Sequence, residues 1–141
     1  MIIEALRELH EKHRLSNGDV SAHTKSAQRI TKEWQGAVCT SQICPEVQAS
    51  QSNNEKIDIV DLPNLVAYEL KVSGKNTHHE FYKDLIKVLT YNEHADANNR
   101  LKRLVFISES SGISSLRGRL DAKFLEMLKN THGLSIELVS I

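Results

Sequence analysis

The chain has few of the residues that mark specialised classes of protein. Its 141 residues include two cysteines, two prolines and one tryptophan. Cys39 and Cys44 are too few for a disulfide scaffold, and no neighbouring His or Cys pair completes a zinc pattern, so we interpret them as free thiols. No run approaches ~20 apolar residues, and the first residues lack the apolar core of a signal peptide. These absences favour a soluble, cytoplasmic protein.

Charge of one sign is also lacking, because 18 Lys and Arg balance 18 Asp and Glu. A global basic surface for nucleic acid is therefore excluded, and any such binding needs a local patch. The length fits a single domain over residues 1–141 that can bury a core, with an N-terminal helix over about 1–14 as an extension.

Apolar spacing along the chain predicts alternating helices and strands. The order predicts an α/β fold with a mixed central β-sheet and helices on both faces. The predicted elements are a helix Ile2–His13, a break at Ser16-Asn17-Gly18, a helix from about Asp19 to Trp34, a strand within Val38–Ser50, a hairpin, a helix from His78 to about His94 capped by Thr77, a strand Leu104–Ile107, a serine-rich loop Ser108–Ser115, a helix ending near Gly133, and a strand from Leu134 to Ile141.

The hairpin is the chemically informative stretch. Two apolar runs, Ile57–Val60 and Leu65–Val72, flank the turn sequence Asp61-Leu62-Pro63-Asn64. Strand alternation places Glu69 and Lys71 on one face, and a turn near Pro63 places Asp58 opposite or diagonal to Glu69. Two nearby carboxylates repel one another, and a divalent cation with a preference for oxygen ligands, such as Mg²⁺, would compensate them.

These residues resemble a known family. Asp58, ten intervening residues and then Glu69-Leu70-Lys71 resemble the Asp…(Asp/Glu)-x-Lys signature of the PD-(D/E)XK nuclease superfamily, with Ile57 in place of its usual Pro. The resemblance implies a restriction-endonuclease-like core from about Asp19 to Ile141. It also implies an endonuclease that hydrolyses phosphodiester bonds of duplex or branched DNA as a homodimer.

The same resemblance implies roles for individual residues. The catalytic residues would be Asp58, Glu69 and Lys71. Asp58, Glu69 and the carbonyl of Leu70 would hold Mg²⁺, with Mn²⁺ able to substitute. A helix before the first strand often adds another acid in this superfamily. Five residues qualify by position and the sequence does not choose between them: Glu4, Glu8, Glu11, Asp19 and Glu33.

Several further polar residues have a structural interpretation beside a functional one. Lys75, Lys83 and Lys87 would contact phosphates in the superfamily's geometry, or would only keep a helix surface polar. Glu46 could approach the site, although an exposed strand carboxylate is favoured. Asp61 is interpreted as a turn residue that hydrogen-bonds its own backbone. If a second metal binds, the unidentified helix acid or Asp61 would hold it. Adjacent His78 and His79 point about 100° apart on a helix and are excluded as a chelating pair.

Two alternatives to a DNA endonuclease remain open at the level of the sequence. One is a nucleic-acid-binding or assembly module with the same fold and no turnover. The other is an RNA-directed nuclease, or the catalytic subunit of a larger complex, for which the balanced charge is mild support. Aromatic residues are sparse, which disfavours a platform for stacking single strands.

Overall fold

The computed structural model describes residues 1–17 and 24–141. The elements are α1 (Ile2–Asn17), α2 (Thr24–Val38), β1 (Ile43–Gln48), β2 (Lys56–Asp61), β3 (Val66–Lys71), α3 (Thr77–His94), β4 (Arg103–Ser108), α4 (Ser110–Arg119), α5 (Ala122–His132) and β5 (Ser135–Ser140), with a short 3₁₀ turn at Ala97–Asn99. The five strands form one sheet in the order β1-β2-β3-β4-β5. The first three strands are antiparallel, and β3, β4 and β5 are parallel. The predicted α/β class with a mixed sheet is confirmed.

The hairpin is confirmed as β2 and β3, which pair with Ile59 opposite Tyr68. Its turn forms because Asp61 accepts bonds from the Asn64 backbone N–H at 3.2 Å and from the Asn64 side-chain amide at 2.9 Å. Asp side chains commonly accept such hydrogen bonds from the backbone of their own turn. The turn interpretation of Asp61 agrees with these contacts.

Helices cover both faces of the sheet, as predicted. On one face, α1 and α2 pack Leu6, Ile30 and Trp34 against inward residues of β2, β3 and β4. On the other face, α3, α4 and α5 form a second core that includes Phe81 and Phe106. Strand β4 is buried on both faces, because its successive apolar residues alternate between the two cores.

Three local predictions are wrong. The serine-rich segment is not a loop, because Ser110 to Arg119 form α4. The apolar spacing that continues to Leu128 belongs to two helices, since Asp121 starts α5 by accepting a bond from the Phe124 N–H at 3.0 Å. Thr77 is not the cap of α3. It is the first helical residue, and its hydroxyl donates to the Gly112 carbonyl at 3.1 Å.

The predicted helix end at Gly133 is confirmed. Gly133 has φ 62° and ends α5 in the left-handed conformation. The predicted break at Ser16-Asn17-Gly18, in contrast, is wrong at its first two residues, because Ser16 and Asn17 belong to the last turn of α1; Gly18 lies outside the described residues.

The loop between β3 and α3 packs tightly on the start of α4. A Cβ atom on Gly112 would lie 2.8 Å from Gly74 Cα, so the two backbones touch where these glycines meet. The Ser108 hydroxyl donates to the Ser73 carbonyl at 3.1 Å and fixes the same loop to the end of β4. The carboxyl ends of the parallel strands therefore carry an ordered loop.

No helix within residues 1–17 and 24–141 has the length and apolar character needed to cross a membrane.

Candidate functional site

Asp58 and Glu69 face each other across the hairpin and are joined by two reciprocal hydrogen bonds. The Asp58 N–H donates to Glu69 Oε1 at 2.6 Å, and the Leu70 N–H donates to Asp58 Oδ2 at 2.8 Å. The backbone pairing of β2 with β3 runs from Asp61 to Ile59, so these bonds to side chains take over where the ladder stops. The prediction that the two carboxylates lie within cross-strand reach is confirmed by these contacts.

The strand pairing on the other side of Asp58 is also interrupted. Strands β1 and β2 pair on both sides of Glu46 and Asp58 but not at those residues, and Glu46 has a φ of 51°. The irregular backbone leaves the Asp58 carbonyl to accept a bond from Gln35 Nε2 at 2.9 Å. Gln35 Nε2 also donates to Glu46 Oε1 at 3.2 Å. Gln35 is therefore the residue of α2 that reaches this point of the sheet.

Helix α3 adds Asp84, which the sequence analysis did not assign to the site, and Lys87, which it expected to contact phosphates. Lys87 Nζ forms an ion pair with Glu69 Oε2, lies 2.9 Å from Asp84 Oδ1, and donates to the Lys56 carbonyl at 2.8 Å. Glu69, Asp84 and Lys87 are 0%, 6% and 8% exposed. We call Asp58, Glu69 and Asp84 the carboxylate cluster, with Lys87 as its ammonium partner.

The electrostatics of the cluster reflect an excess of negative charge in a buried place. Burial raises the pKa of Asp58 from 3.8 to about 6, against the opposing effects of the Leu70 N–H and of Lys87. Burial, a hydrogen bond with Asp84 and the charge of Asp58 raise the pKa of Glu69 well above its usual value. Burial opposes the charge of Lys87, but Glu69 and Asp84 outweigh it and raise the Lys87 pKa. One ammonium therefore compensates the carboxylates only in part.

Lys71 lies two residues beyond Glu69 on β3 and is partly buried. Alternation along β3 places it on the same side of the sheet as Glu69, which is the side covered by α3. Within the described part of the chain, the side chain of Lys71 takes part in no hydrogen bond or ion pair. Its ammonium is thus available to a ligand, whereas that of Lys87 is paired with two carboxylates.

The N-terminal acids that the sequence left open do not join the cluster in the described residues. Glu4 pairs with the amino terminus, Glu11 pairs with Arg14, and Glu33 pairs with His13 and Arg29. Glu8 is exposed on α1. Asp19 lies outside the described residues.

Asp84 is the acid that lies beside Glu69. It could have been found from spacing, because Asp84 follows Phe81 by three residues and precedes Val88 by four, on the buried stripe of α3. A charged residue on an apolar stripe indicates a buried partner.

The three lysines expected to contact phosphates occupy different surroundings. Lys75 is exposed in the loop before α3, and Lys83 is exposed on α3 with Glu80 at 3.8 Å. Lys87 points into the carboxylate cluster instead of out from the helix, so its contacts give it a different role. His78 and His79 have ring centroids 4.1 Å apart at the start of α3, and His79 is exposed.

Two cavities open along α3 next to the cluster. One of about 330 Å³ lies between the loop over residues 49–55 and α3, and Lys87 lines it together with Glu55 and Thr90. A second of about 890 Å³ adjoins it at Ala49 and continues toward Tyr91 and His94. The smaller cavity therefore reaches Lys87, whereas the residues that line the two cavities do not include Asp58, Glu69 or Asp84.

The oxygen donors of the cluster are of the chemical type that a hard divalent cation prefers. Asp58 and Glu69 supply carboxylate oxygens, which Mg²⁺ prefers and of which it commonly uses only one or two. Their raised pKa values mark charge that a cation would neutralise. Across the described ranges, however, no group of three or more His, Cys, Asp or Glu side chains is arranged to hold a metal ion. With Lys87 in its present position, the ammonium takes the place beside Glu69.

Comparisons of this chain with protein-family models, curated proteins and solved structures find no match. Function is therefore inferred from the chain's own residues.

Proposed function

We propose that the chain is a Mg²⁺-dependent endonuclease with a restriction-endonuclease-like core that hydrolyses phosphodiester bonds of DNA. The observation that carries this proposal is the pair of opposed carboxylates, Asp58 and Glu69, whose pKa values are raised at a sharp break in the sheet. The order of elements supports the finer fold assignment, since an antiparallel β1-β2-β3 meander leads through α3 into a parallel β4.

The position of the site supports a binding role as well. Lys71 pairs with Ser108 at the carboxyl ends of β3 and β4, and open α/β sheets bind ligands beyond the carboxyl ends of their strands. Ser73 to Asn76 form the adjoining loop, which includes the exposed Lys75. A phosphate backbone placed there would lie near Lys71, Lys75 and Lys83.

In the proposed mechanism each residue has a chemical task. Asp58, Glu69 and the Leu70 carbonyl would hold the cation, which when bound would supply an acidified water and offset charge on the phosphate. Lys71 Nζ orients the attacking water or takes its proton, and then stabilises the negative charge that develops on the phosphate oxygens. A lysine suits this task because its ammonium is a compact point charge on a flexible stem. Lys75 and Lys83 hold the phosphate backbone.

A non-catalytic nucleic-acid-binding or assembly module is the second candidate. The observation that favours it is the ion pair of Lys87 with Glu69, because an ammonium already compensates the residue that should hold a metal. The two candidates share a fold and a binding surface, and they differ in turnover.

Cleavage assays separate the candidates. Supercoiled and branched DNA are incubated with Mg²⁺ or Mn²⁺ and with the native chain, Asp58→Asn or Lys71→Met, and an RNA substrate is run beside them. Asn at position 58 can still accept the Leu70 N–H bond, so the fold is retained while the charge is lost. We expect metal-dependent nicking of DNA that each substitution lowers by at least ~100-fold, the scale of general acid–base and electrostatic contributions.

The matched control is Lys129→Met, because Lys129 is an exposed lysine of α5 away from the cluster. It should cleave like the native chain. Salt-dependent DNA binding with no cleavage by any folded protein would instead establish the binding module. Cleavage of RNA alone would assign the RNA-directed nuclease.

A further inference from the structure

Lys87 occupies the position that a cation would take in the carboxylate cluster. Its ammonium forms ion pairs with Glu69 Oε2 and Asp84 Oδ1 and donates a hydrogen bond to the Lys56 carbonyl. The side chain is 10% exposed and the Glu69 side chain 1%. Among the described residues, Glu69 Oε2 has no hydrogen-bond partner, so the ion pair with Lys87 compensates its charge without a hydrogen bond. A buried ammonium between two carboxylates thus has the electrostatic effect of a bound ion.

A divalent cation at Asp58 and Glu69 could not share this place with Lys87. Like charges a few ångströms apart repel strongly in a buried site, so one cation has to leave. Lys87 is tethered by a four-carbon chain with several rotatable bonds. The cavity of about 330 Å³ beside it offers space, and Glu55 on its wall offers a new carboxylate partner.

We propose that Lys87 is a displaceable internal cation: it neutralises the carboxylate cluster in the absence of metal and moves into the adjoining cavity when a divalent cation binds. This inference rests on the proposed metal-dependent function. It makes Lys87 a positioning residue that sets the affinity for metal, and it separates the role of Lys87 from that of Lys71, whose ammonium has no such partners.

The first test measures metal affinity directly. Mg²⁺ and Mn²⁺ are titrated calorimetrically into the native chain, Lys87→Gln and the matched control Lys129→Gln, which removes an exposed ammonium on α5. Loss of the competing ammonium should tighten metal binding by at least about tenfold in Lys87→Gln. Lys129→Gln should bind metal like the native chain.

The second test needs no variant, and it covers the case in which Lys87→Gln does not fold. The native chain is treated with acetic anhydride, and acetylation of each lysine is read by mass spectrometry with and without Mn²⁺. Displaced Lys87 should become several-fold more reactive toward acetic anhydride when metal is bound, while exposed Lys129 of α5 stays constant as the internal reference. Unchanged protection of Lys87 at saturating Mn²⁺ would overturn the inference.

The outcomes distinguish this inference from the proposed function. Equal metal affinity of the native chain and folded Lys87→Gln would refute displacement and leave a metal-dependent nuclease intact. Metal binding by Lys87→Gln but not by the native chain would refute displacement, because Lys87 would then be a permanent internal cation, and it would also contradict the Mg²⁺-dependent function. No metal binding by either protein would overturn both.

Discussion

Lys71 and Lys87 are both lysines of one site, yet their surroundings assign them opposite tasks. The Lys87 ammonium pairs with Glu69 and Asp84 and donates to the Lys56 carbonyl, whereas the Lys71 ammonium has no partner within the described residues. Sequence spacing could predict Lys71, because alternation along a strand fixes its face relative to Glu69. It could not predict the contacts of Lys87, because those depend on how α3 sits over the sheet, which is set by tertiary packing. The Asp58–Glu69 pair was predictable because a short turn fixes the register of its hairpin.

The raised pKa of Asp58 predicts a specific pH dependence of stability. The folded carboxyl group titrates at about 6 instead of 3.8, so the folded state binds more protons between these values. The contribution of Asp58 to the free energy of unfolding therefore falls as pH rises from about 4 to about 6, and it is lost above that range. The native chain should lose up to about 3 kcal/mol relative to Asp58→Asn across this window.

Urea denaturation in EDTA at several pH values measures this difference. Asp96→Asn, an exposed site beyond α3, is the control and should follow the native curve. Glu69 has a pKa raised in the same direction, so it adds to the fall. If the free energy of unfolding of the native chain and of Asp58→Asn changed in parallel with pH, the raised pKa of Asp58 would be contradicted.

At the scale of elements, the start of α4 shows where sequence patterns fail. Ser110 and Ser111 have turn chemistry, but Gly112 brings α4 against the loop after β3, and Ile113 and Leu116 are buried there. Tertiary contact thus outweighs local preference. The boundary between α4 and α5 had a local signal, because Asp121 is an N-cap residue type, although the apolar spacing continued across it.

Two glycines of α4 form a matched pair of test sites. A Cβ on Gly112 would lie 2.5 Å from Thr77 Cγ2 and 2.8 Å from the Gly74 backbone, so Gly112→Ala should destabilise the chain by about 2 kcal/mol. A Cβ on Gly118 meets nothing within 4 Å, so Gly118→Ala should be neutral or stabilising by up to about 1 kcal/mol. Thermal unfolding of both variants measures the two effects. Equal effects would contradict the close approach of Gly112 to the loop after β3.

At the scale of the molecule, the two cores share the same sheet. Trp34 lies in the α1–α2 core, where its indole N–H donates to the Ile2 carbonyl at 2.9 Å. It is the single tryptophan of the chain. The sequence predicted both helical layers because their apolar spacing is regular. It did not predict that α1 joins the core rather than extending from it, since that depends on contacts between distant residues.

The shared sheet predicts cooperative unfolding. The urea transition followed by Trp34 fluorescence should coincide with the transition followed by far-ultraviolet circular dichroism, because neither core survives without the sheet. The urea dependence should be roughly 1–3 kcal/mol per molar, as for other small domains. A fluorescence transition at lower urea would show instead that the α1–α2 layer separates first.

The interruption at Glu46 has a consequence for how copies of the chain meet. Strand β1 lies at an edge of the sheet, and Pro45 has no N–H while Glu46 adopts a left-handed backbone beside it. An added strand needs a regular row of donors and acceptors, and this edge does not offer one. The break that shapes the carboxylate cluster therefore also protects β1 against strand addition, so a homodimer of this chain would have to form through another surface.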